Sequence, residues 1–268
     1  MRLATTVLAL ALTIAGGPAT AVETRPLRVM SLDQCGDQYA LALAPDAELA
    51  LSPRADDPDS WMREAAAGHR RIRPTLEAAI GFQPDVVLRY WGGDARLLAR
   101  LEADGVRIVT ITDATDFDGV RENIRTAARA LDAGSRGDTL IARMDARLRE
   151  AAPAPDAVKR SALYLTAGGF TAGRGALVDA ILTAAGLANV VKAPGFAPVS
   201  VERIVIWRPA WFVLGFFDQP RGDWRGPGRH PAIMRAAQGR IAARLPAASL
   251  TCPAWFAADA AVMLKGRG

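Results

Sequence analysis

Histidine and cysteine are scarce in this chain, with two of each in 268 residues. His69 stands in the run His69-Arg70-Arg71 and His230 precedes Pro231 in a Gly/Pro/Arg loop, so both read as surface residues. Capture of a bare zinc or manganese ion takes several imidazoles or carboxylates on one centre, and is disfavoured. No Gly-x-Ser-x-Gly elbow occurs, and no Ser or Cys comes with an evident His and acid, so nucleophilic hydrolysis has little support. The glycine-rich run at 168–175 lacks the Gly-Lys-Ser/Thr ending that holds phosphates and magnesium; a tight strand-to-helix turn explains it better. Long apolar runs are missing too. Residues 3–15 are too short to span a bilayer comfortably, and no later stretch approaches the roughly 18–20 apolar residues that spanning needs. The net charge of +5 is spread among interspersed acids with no long basic block, which points to a solvated surface and not to nucleic acid.

What is present begins with an export signal. Arg2, the apolar run and Ala19-Thr20-Ala21 form the three parts of a cleavable signal peptide over residues 1–21, so the mature chain is expected to start at Val22, in the periplasm. No cysteine follows the cleavage site, so release is expected and not a lipid anchor. In an oxidising compartment the pair Cys35 and Cys252 suggests one disulfide; two free thiols or a thiolate metal site are the alternatives. Pairing would link the two ends of the mature chain.

Short Val/Ile/Leu runs alternate with Ala-rich helical segments, the pattern of βαβ units and mostly parallel sheets. One series of strands is expected at 27–32, 49–51, 86–90 and 106–111, and a second at 162–166, 189–191, 211–216 and 248–251. Between them, 117–131 and 135–152 read as helices, the second with Leu140, Ile141, Met144 and Leu148 on one face. The expected organisation is an amino-terminal lobe over 22–133, a connecting helix over 134–155 and a carboxy-terminal lobe over 156–268. Flexible Gly/Ser linkers are absent, so the lobes are not expected to tumble freely.

The chain also repeats itself. Residues 75–88 align without gaps on 200–213, since 202 and 77 differ by 125, as do 209 and 84. Each copy reads as a capping hydroxyl, an acid in the first turn, a short helix, a proline and a buried strand. Glu77 and Glu202 could serve only the helix dipole, a contribution of roughly 0.3–1 kcal/mol. Alternatively, one acid per lobe forms a pair of contacts to basic residues on a two-fold partner, setting orientation and on-rate more than affinity.

Three stretches carry a family resemblance: Arg28-Val29-Met30-Ser31-Leu32; the segment from Thr75-Leu76-Glu77 to Gln83-Pro84-Asp85; and Ala172-Gly173-Arg174-Gly175 leading to Ala185-Gly186-Leu187-Ala188-Asn189-Val190. Over nearly the whole mature chain the sequence resembles the substrate-binding proteins of ABC importers for iron-siderophores, haem and cobalamin. That resemblance implies two Rossmann-like α/β lobes with mostly parallel sheets joined by one long helix, and no enzymatic activity. It implies a metal chelate as ligand (siderophore, haem or corrinoid), no resident cofactor or metal, an inner-membrane ABC permease as partner, and a monomeric protein. Permease docking is carried onto Glu77 and Glu202. The second copy departs from the family pattern at Ala210, where an Asp is usual.

Open α/β sheets bind ligands at the carboxyl ends of their strands. Aromatics concentrate in the loops expected there, so Tyr90, Trp91, Phe170, Phe216, Phe217 and Trp255 are expected to line a cleft, with Arg54 and Arg174 as anions' anchors. Each aromatic could equally be core. Cys35 and Cys252 fall at cleft-facing loops of different lobes, where a bridge would restrict opening. His230 is a minor candidate for an axial haem ligand. Rival readings are a periplasmic enzyme or cofactor chaperone for haem or corrinoid on the same scaffold, and a receptor that signals through a membrane sensor.

Overall fold

The computed structural model describes residues 25–219 and 226–267. The expected signal peptide, residues 1–21, and Val22 lie outside the described residues. The first lobe is a parallel sheet of β1 (Arg28–Ser31), β2 (Glu48–Leu51), β3 (Arg70–Arg71), β4 (Val86–Arg89) and β5 (Arg107–Thr110), in the order β3-β2-β1-β4-β5. Helices α1 (Gln34–Leu43), α2 (Leu76–Phe82) and α3 (Ala95–Ala103) connect its strands. Two helices follow without an intervening strand, α4 (Phe117–Ala130) and α5 (Gly134–Ala151).

The second lobe contains β6 (Ser161–Thr166), β7 (Phe170–Ala172), α6 (Leu177–Ala184), β8 (Ala188–Asn189), β9 (Phe196–Pro198), α7 (Val201–Trp207), β10 (Trp211–Gly215), α8 (Pro231–Ala237), β11 (Ile241–Leu245) and α9 (Ala257–Val262). Its parallel sheet runs β11-β10-β6-β8, and β7 pairs antiparallel with β9 in a separate ribbon. Read from the other edge, β8-β6-β10-β11 matches β2-β1-β4-β5. The internal repeat is therefore a repeat of topology, with α7 in the place of α2.

Alternation along the strands explains why both sheets are covered twice. In β4, Val86 and Leu88 enter a central core while Val87 points to a core under α2 and α3. In β6, Ala162 and Tyr164 face the central core while Leu163 and Leu165 face one beneath α7 and α8. Strands buried on both faces read as near-continuous apolar runs, as parallel sheets do. The central core is shared by the lobes. It continues from β1 and β4 through α1, α4, α5 and α9 to α6 and the second sheet.

The repeated helices begin and end alike. Thr75 accepts the Ala78 N–H and Ser200 the Arg203 N–H. Each closes on a left-handed residue, Gln83 (φ 52°) and Arg208 (φ 43°), ahead of Pro84 and Pro209, the proline disfavouring a right-handed turn at the residue before it. The strand expected at 248–251 is not formed. The second sheet's edge is β11, residues 241–245; Pro246 ends it and the chain turns through a 3-10 helix at Ala247–Ser249. Apolarity drew the expectation to the Ala-rich run and away from a strand that carries Arg244.

Candidate functional site

The carboxyl ends of both sheets open on one cleft, occupied by two adjoining cavities. The first, about 590 Å³, is walled by Leu32, Ser52, Arg54, Tyr90 and Trp91 of the first lobe and by Thr251 of the second. The other, about 390 Å³, is lined by Tyr90, Asp113 and Thr115 on one side and Leu177, Phe196 and Leu250 on the other. Tyr90 and Thr251 belong to both. A larger cavity of about 700 Å³ lies at the amino-terminal ends of the first sheet's strands, beside α2 and α3. No second-lobe residue lines it, and Arg25, Arg28 and Arg100 there are paired with Asp85, Glu48 and Asp104. The interlobe cleft is the stronger candidate, because parallel sheets present their ligand loops at the other end.

One carboxylate organises the first lobe's rim. Asp33 caps α1, its Oδ1 accepting the N–H groups of Cys35 (3.0 Å) and Gly36 (2.9 Å). Its Oδ2 accepts the N–H groups of Tyr90 (2.6 Å), Trp91 (2.9 Å) and Gly92 (2.7 Å). Hydrogen bonds to an ionised acceptor are stronger than neutral ones, so five of them pin the aromatic loop to the helix start. Gly92 is required as well. A Cβ there would sit 2.3 Å from the Leu32 carbonyl oxygen. Trp91 is thereby held with 71% of its surface exposed at the first cavity, and the second lobe presents Phe196, 63% exposed, at the start of β9 in the adjoining one. The Tyr90 hydroxyl donates to Asp113 Oδ1, and burial with that acceptor pushes Tyr90 up to about 12.

Beneath the cleft the lobes are fastened together. Cys35 at the start of α1 is bonded to Cys252, 217 positions away in sequence, with Cα atoms 5.4 Å apart. The buried Tyr39 hydroxyl donates to the Pro253 carbonyl at 2.7 Å. Trp61 stacks on Phe256 with centroids 5.1 Å apart. To one side, Gln219 of the second lobe donates to Asp59 Oδ2 at 3.1 Å. A strap at 251–262 thus belongs to the second lobe in sequence and to the shared core in space.

Of the eight residues expected at the cleft, Arg54, Tyr90 and Trp91 line its cavities. Trp255 does not: only 5% exposed, it meets Tyr39 edge-on at 5.5 Å and belongs to the core under the cleft floor. Its expected position followed from the misplaced strand at 248–251. Phe217 packs in the second lobe's outer core, with the Arg229 guanidinium 4.7 Å above its ring. Phe216 is partly buried and Phe170 and Arg174 are exposed, yet none lines either cavity. Asp33, Asp113 and Phe196 were missed as site residues. Asp33, in the loop Asp33-Gln34-Cys35, and Phe196, beside Gly195, stood in loops expected to face the cleft, a signal that Asp113 did not carry.

Glu77 and Glu202 are both exposed in the first turns of α2 and α7. Its own backbone N–H and the Ser200 hydroxyl hold the Glu202 carboxyl below the usual range, with His230 adding to the effect. His230 accepts the Ala232 N–H at the start of α8, and neither histidine lines the cleft cavities. Among the described residues no three His, Cys, Asp or Glu converge as a metal site, and no helix is long and apolar enough to cross a membrane.

The comparisons with known proteins agree with this geometry. A cobalamin-binding protein of Halobacterium salinarum is 27% identical over 210 residues, covering 75% of this chain and 57% of that protein. The chain therefore spans little more than half the length of this curated relative. Among solved structures, the periplasmic haem-binding protein BhuT in complex with two haems superposes with a TM-score of 0.66 at 22% identity, covering 90% of this chain and 97% of that one. The periplasmic haem-binding protein HutB of Vibrio cholerae gives 0.71 at 15% identity, covering 88% and 96%. The periplasmic vitamin B12 binding protein BtuF of Vibrio cholerae gives 0.58 at 18% identity, covering 89% and 95%. These likenesses establish a common two-lobed fold. The family model described as periplasmic binding protein matches residues 32–216, well over half of the chain, and this protein therefore belongs to that family, one of binding proteins and not of enzymes.

Proposed function

We propose that the protein is the periplasmic substrate-binding component of an ABC importer, carrying a metal chelate between its lobes to an inner-membrane permease. The observation that carries this reading is the cleft itself: two adjoining cavities fed by both lobes, with Trp91 on one rim and Phe196 on the other, the aromatic area that a large flat ligand needs. Residues 134–155 serve as the connector between an amino-terminal lobe, 22–133, and a carboxy-terminal lobe, 156–268. The protein works as a monomer after removal of residues 1–21. Arg54, Tyr90 and Trp91 contact the chelate; Arg174 adjoins the cleft residue Gly175 in sequence and Phe170 lies on β7, the strand paired with the β9 that carries Phe196, which supports a role for both at the rim.

Glu77 and Glu202 dock the loaded protein on the permease. Their exposure, their equivalent places on α2 and α7 and their relation by the internal repeat support this role. Two tests separate the halves of the proposal. Protein taken from periplasm and desalted is expected to retain the visible absorbance of its chelate; failure to bind every siderophore, haem and corrinoid tried would sink the ligand assignment. The double reversal Glu77→Lys and Glu202→Lys is expected to abolish uptake in cells while leaving chelate affinity within about twofold, because exposed charges contribute little to a distant site. Normal uptake by that variant would remove the docking role.

A further inference from the structure

The interlobe cavity carries an acid without a cationic partner. Asp113, just beyond β5, lines the wall facing α6 and Phe196, and no Lys, Arg or His lines that cavity among the described residues. Asp113 accepts the Tyr90 hydroxyl and forms no ion pair with another described residue. In the adjoining cavity Arg54 is engaged by Asp57 at 2.8 Å and Asp59 at 3.4 Å, while Asp33 faces the same space. The wall is otherwise apolar or neutral. Asp113 is exposed, and a ligand that brought carboxylates to this wall would meet like charge there; like charges about 4 Å apart weaken affinity about fivefold in water, and more as the bound ligand excludes water.

Among the described residues the same wall offers no free axial ligand of the kinds that haem iron takes. Haem iron is held in proteins by His, Cys, Met or Tyr. Both cysteines are in the disulfide, neither histidine lines the cleft, and no methionine lines its cavities. Of three tyrosines, Tyr39 and Tyr164 are fully buried. Tyr90 alone remains, with its proton committed to Asp113; pushed up to about 12, its hydroxyl stays protonated at neutral pH and is a poor metal ligand.

We infer that the cleft selects a chelate whose metal is already fully coordinated and whose rim carries neutral amides, as a corrinoid does, and that Asp113 turns away chelates rimmed by carboxylates, as haem is. This rests on the reading of the cleft as a chelate site and goes further by assigning the discrimination to one residue. Neutral amides can donate to the Asp113 carboxylate, so the acid that repels a propionate is a hydrogen-bond acceptor for an amide N–H.

The test is an absorbance titration of the wild type, Asp113→Asn and Tyr90→Phe with dicyanocobinamide, cyanocobalamin and haemin, after circular dichroism has shown that each variant is folded. The wild type is expected to bind at least one corrinoid more than tenfold tighter than haemin. Asp113→Asn is expected to shrink that ratio by tenfold or more, chiefly by tightening haemin. Tyr90→Phe removes a contact to the chelate and the hydroxyl partner of Asp113 but keeps the carboxylate, so it is expected to weaken every probe while the corrinoid-to-haemin ratio stays above tenfold. Preferential haemin binding by the wild type, or a ratio unmoved by Asp113→Asn, would overturn this inference while leaving the chelate-carrier reading in place. Failure of all three probes and of ferric siderophores would instead sink that reading.

Discussion

The two rims of the cleft are built from the same topology and held very differently. In the first lobe Asp33 accepts five backbone N–H groups, two from the start of α1 and three from the loop after β4. In the second lobe the acid between neighbouring strand-end loops is Asp218, after β10, and among the described residues it accepts only the Ala247 N–H beyond β11. Phe196 stands on a two-stranded ribbon tied by backbone pairing to β7. The first rim is pre-organised around Trp91, whereas the second is held by fewer bonds to its acid, which is expected to let it adjust to what lies on it. A binding protein gains from that division, because a preset surface lowers the ordering cost of binding and an adaptable one completes the fit.

Removing the two acids is the most direct way to break the comparison. Asp33→Ala is expected to destabilise the protein by about 3–5 kcal/mol, since it strands several N–H groups at once. Asp218→Ala should cost about 1 kcal/mol, in keeping with one bond at an exposed carboxylate. Urea unfolding of both variants measures the difference, and equal losses would mean the rims are held alike.

A second asymmetry is electrostatic. The first-turn acid of α1, Asp37, is buried and accepts the Ser52 N–H and hydroxyl at 2.8 and 2.6 Å, while its counterpart on α6, Asp179, is partly buried and accepts from Asn189. Burial pushes the Asp37 carboxyl up to about 6, with the Ser52 bonds opposing the rise. Its unfolded form ionises near 4, so between pH 4 and 6 the unfolded state holds fewer protons and stability falls as pH rises. At about 1.4 kcal/mol per decade, the loss by neutral pH is on the order of 3 kcal/mol. Thermal melts from pH 4 to 7 should show this slope, and Asp37→Asn should flatten it; an unchanged slope would assign it to other groups.

The smallest expected difference concerns the aromatics. Trp91→Ala is expected to weaken chelate binding by about 1–2 kcal/mol, roughly 5- to 30-fold, through lost stacking area and orientation. Phe196→Ala should cost less, because its looser support lets neighbours move into the space. Titration of the chelate into each variant decides between a preset and an adaptable rim. Equal costs would make the rims energetically equivalent.

Much of the architecture was legible because its signals are local. β1, β4, β6 and β10 announce themselves as apolar runs, since both faces of each are buried. The edges were harder. β3 has two residues, and β11 is interrupted by Arg244 and followed by an Ala-rich turn of greater apolarity. That single misplacement carried Trp255 to the cleft, when its ring fills the space between Tyr39 and Phe256. Asp33 reads locally as a helix cap, but its hold on the Tyr90 loop left no trace, because those three of its five donors are 57–59 residues away.

The sequence by itself determined two lobes, their capped and proline-terminated repeats and the acid at the head of each, since caps, turns and periodicity act over a few residues. Only the tertiary structure decided which strand-end side chains face the cleft and which face the core, and that Cys35 lies against Cys252. Those depend on how one lobe packs on the other through a shared core, and long-range packing of that kind leaves no period in the chain.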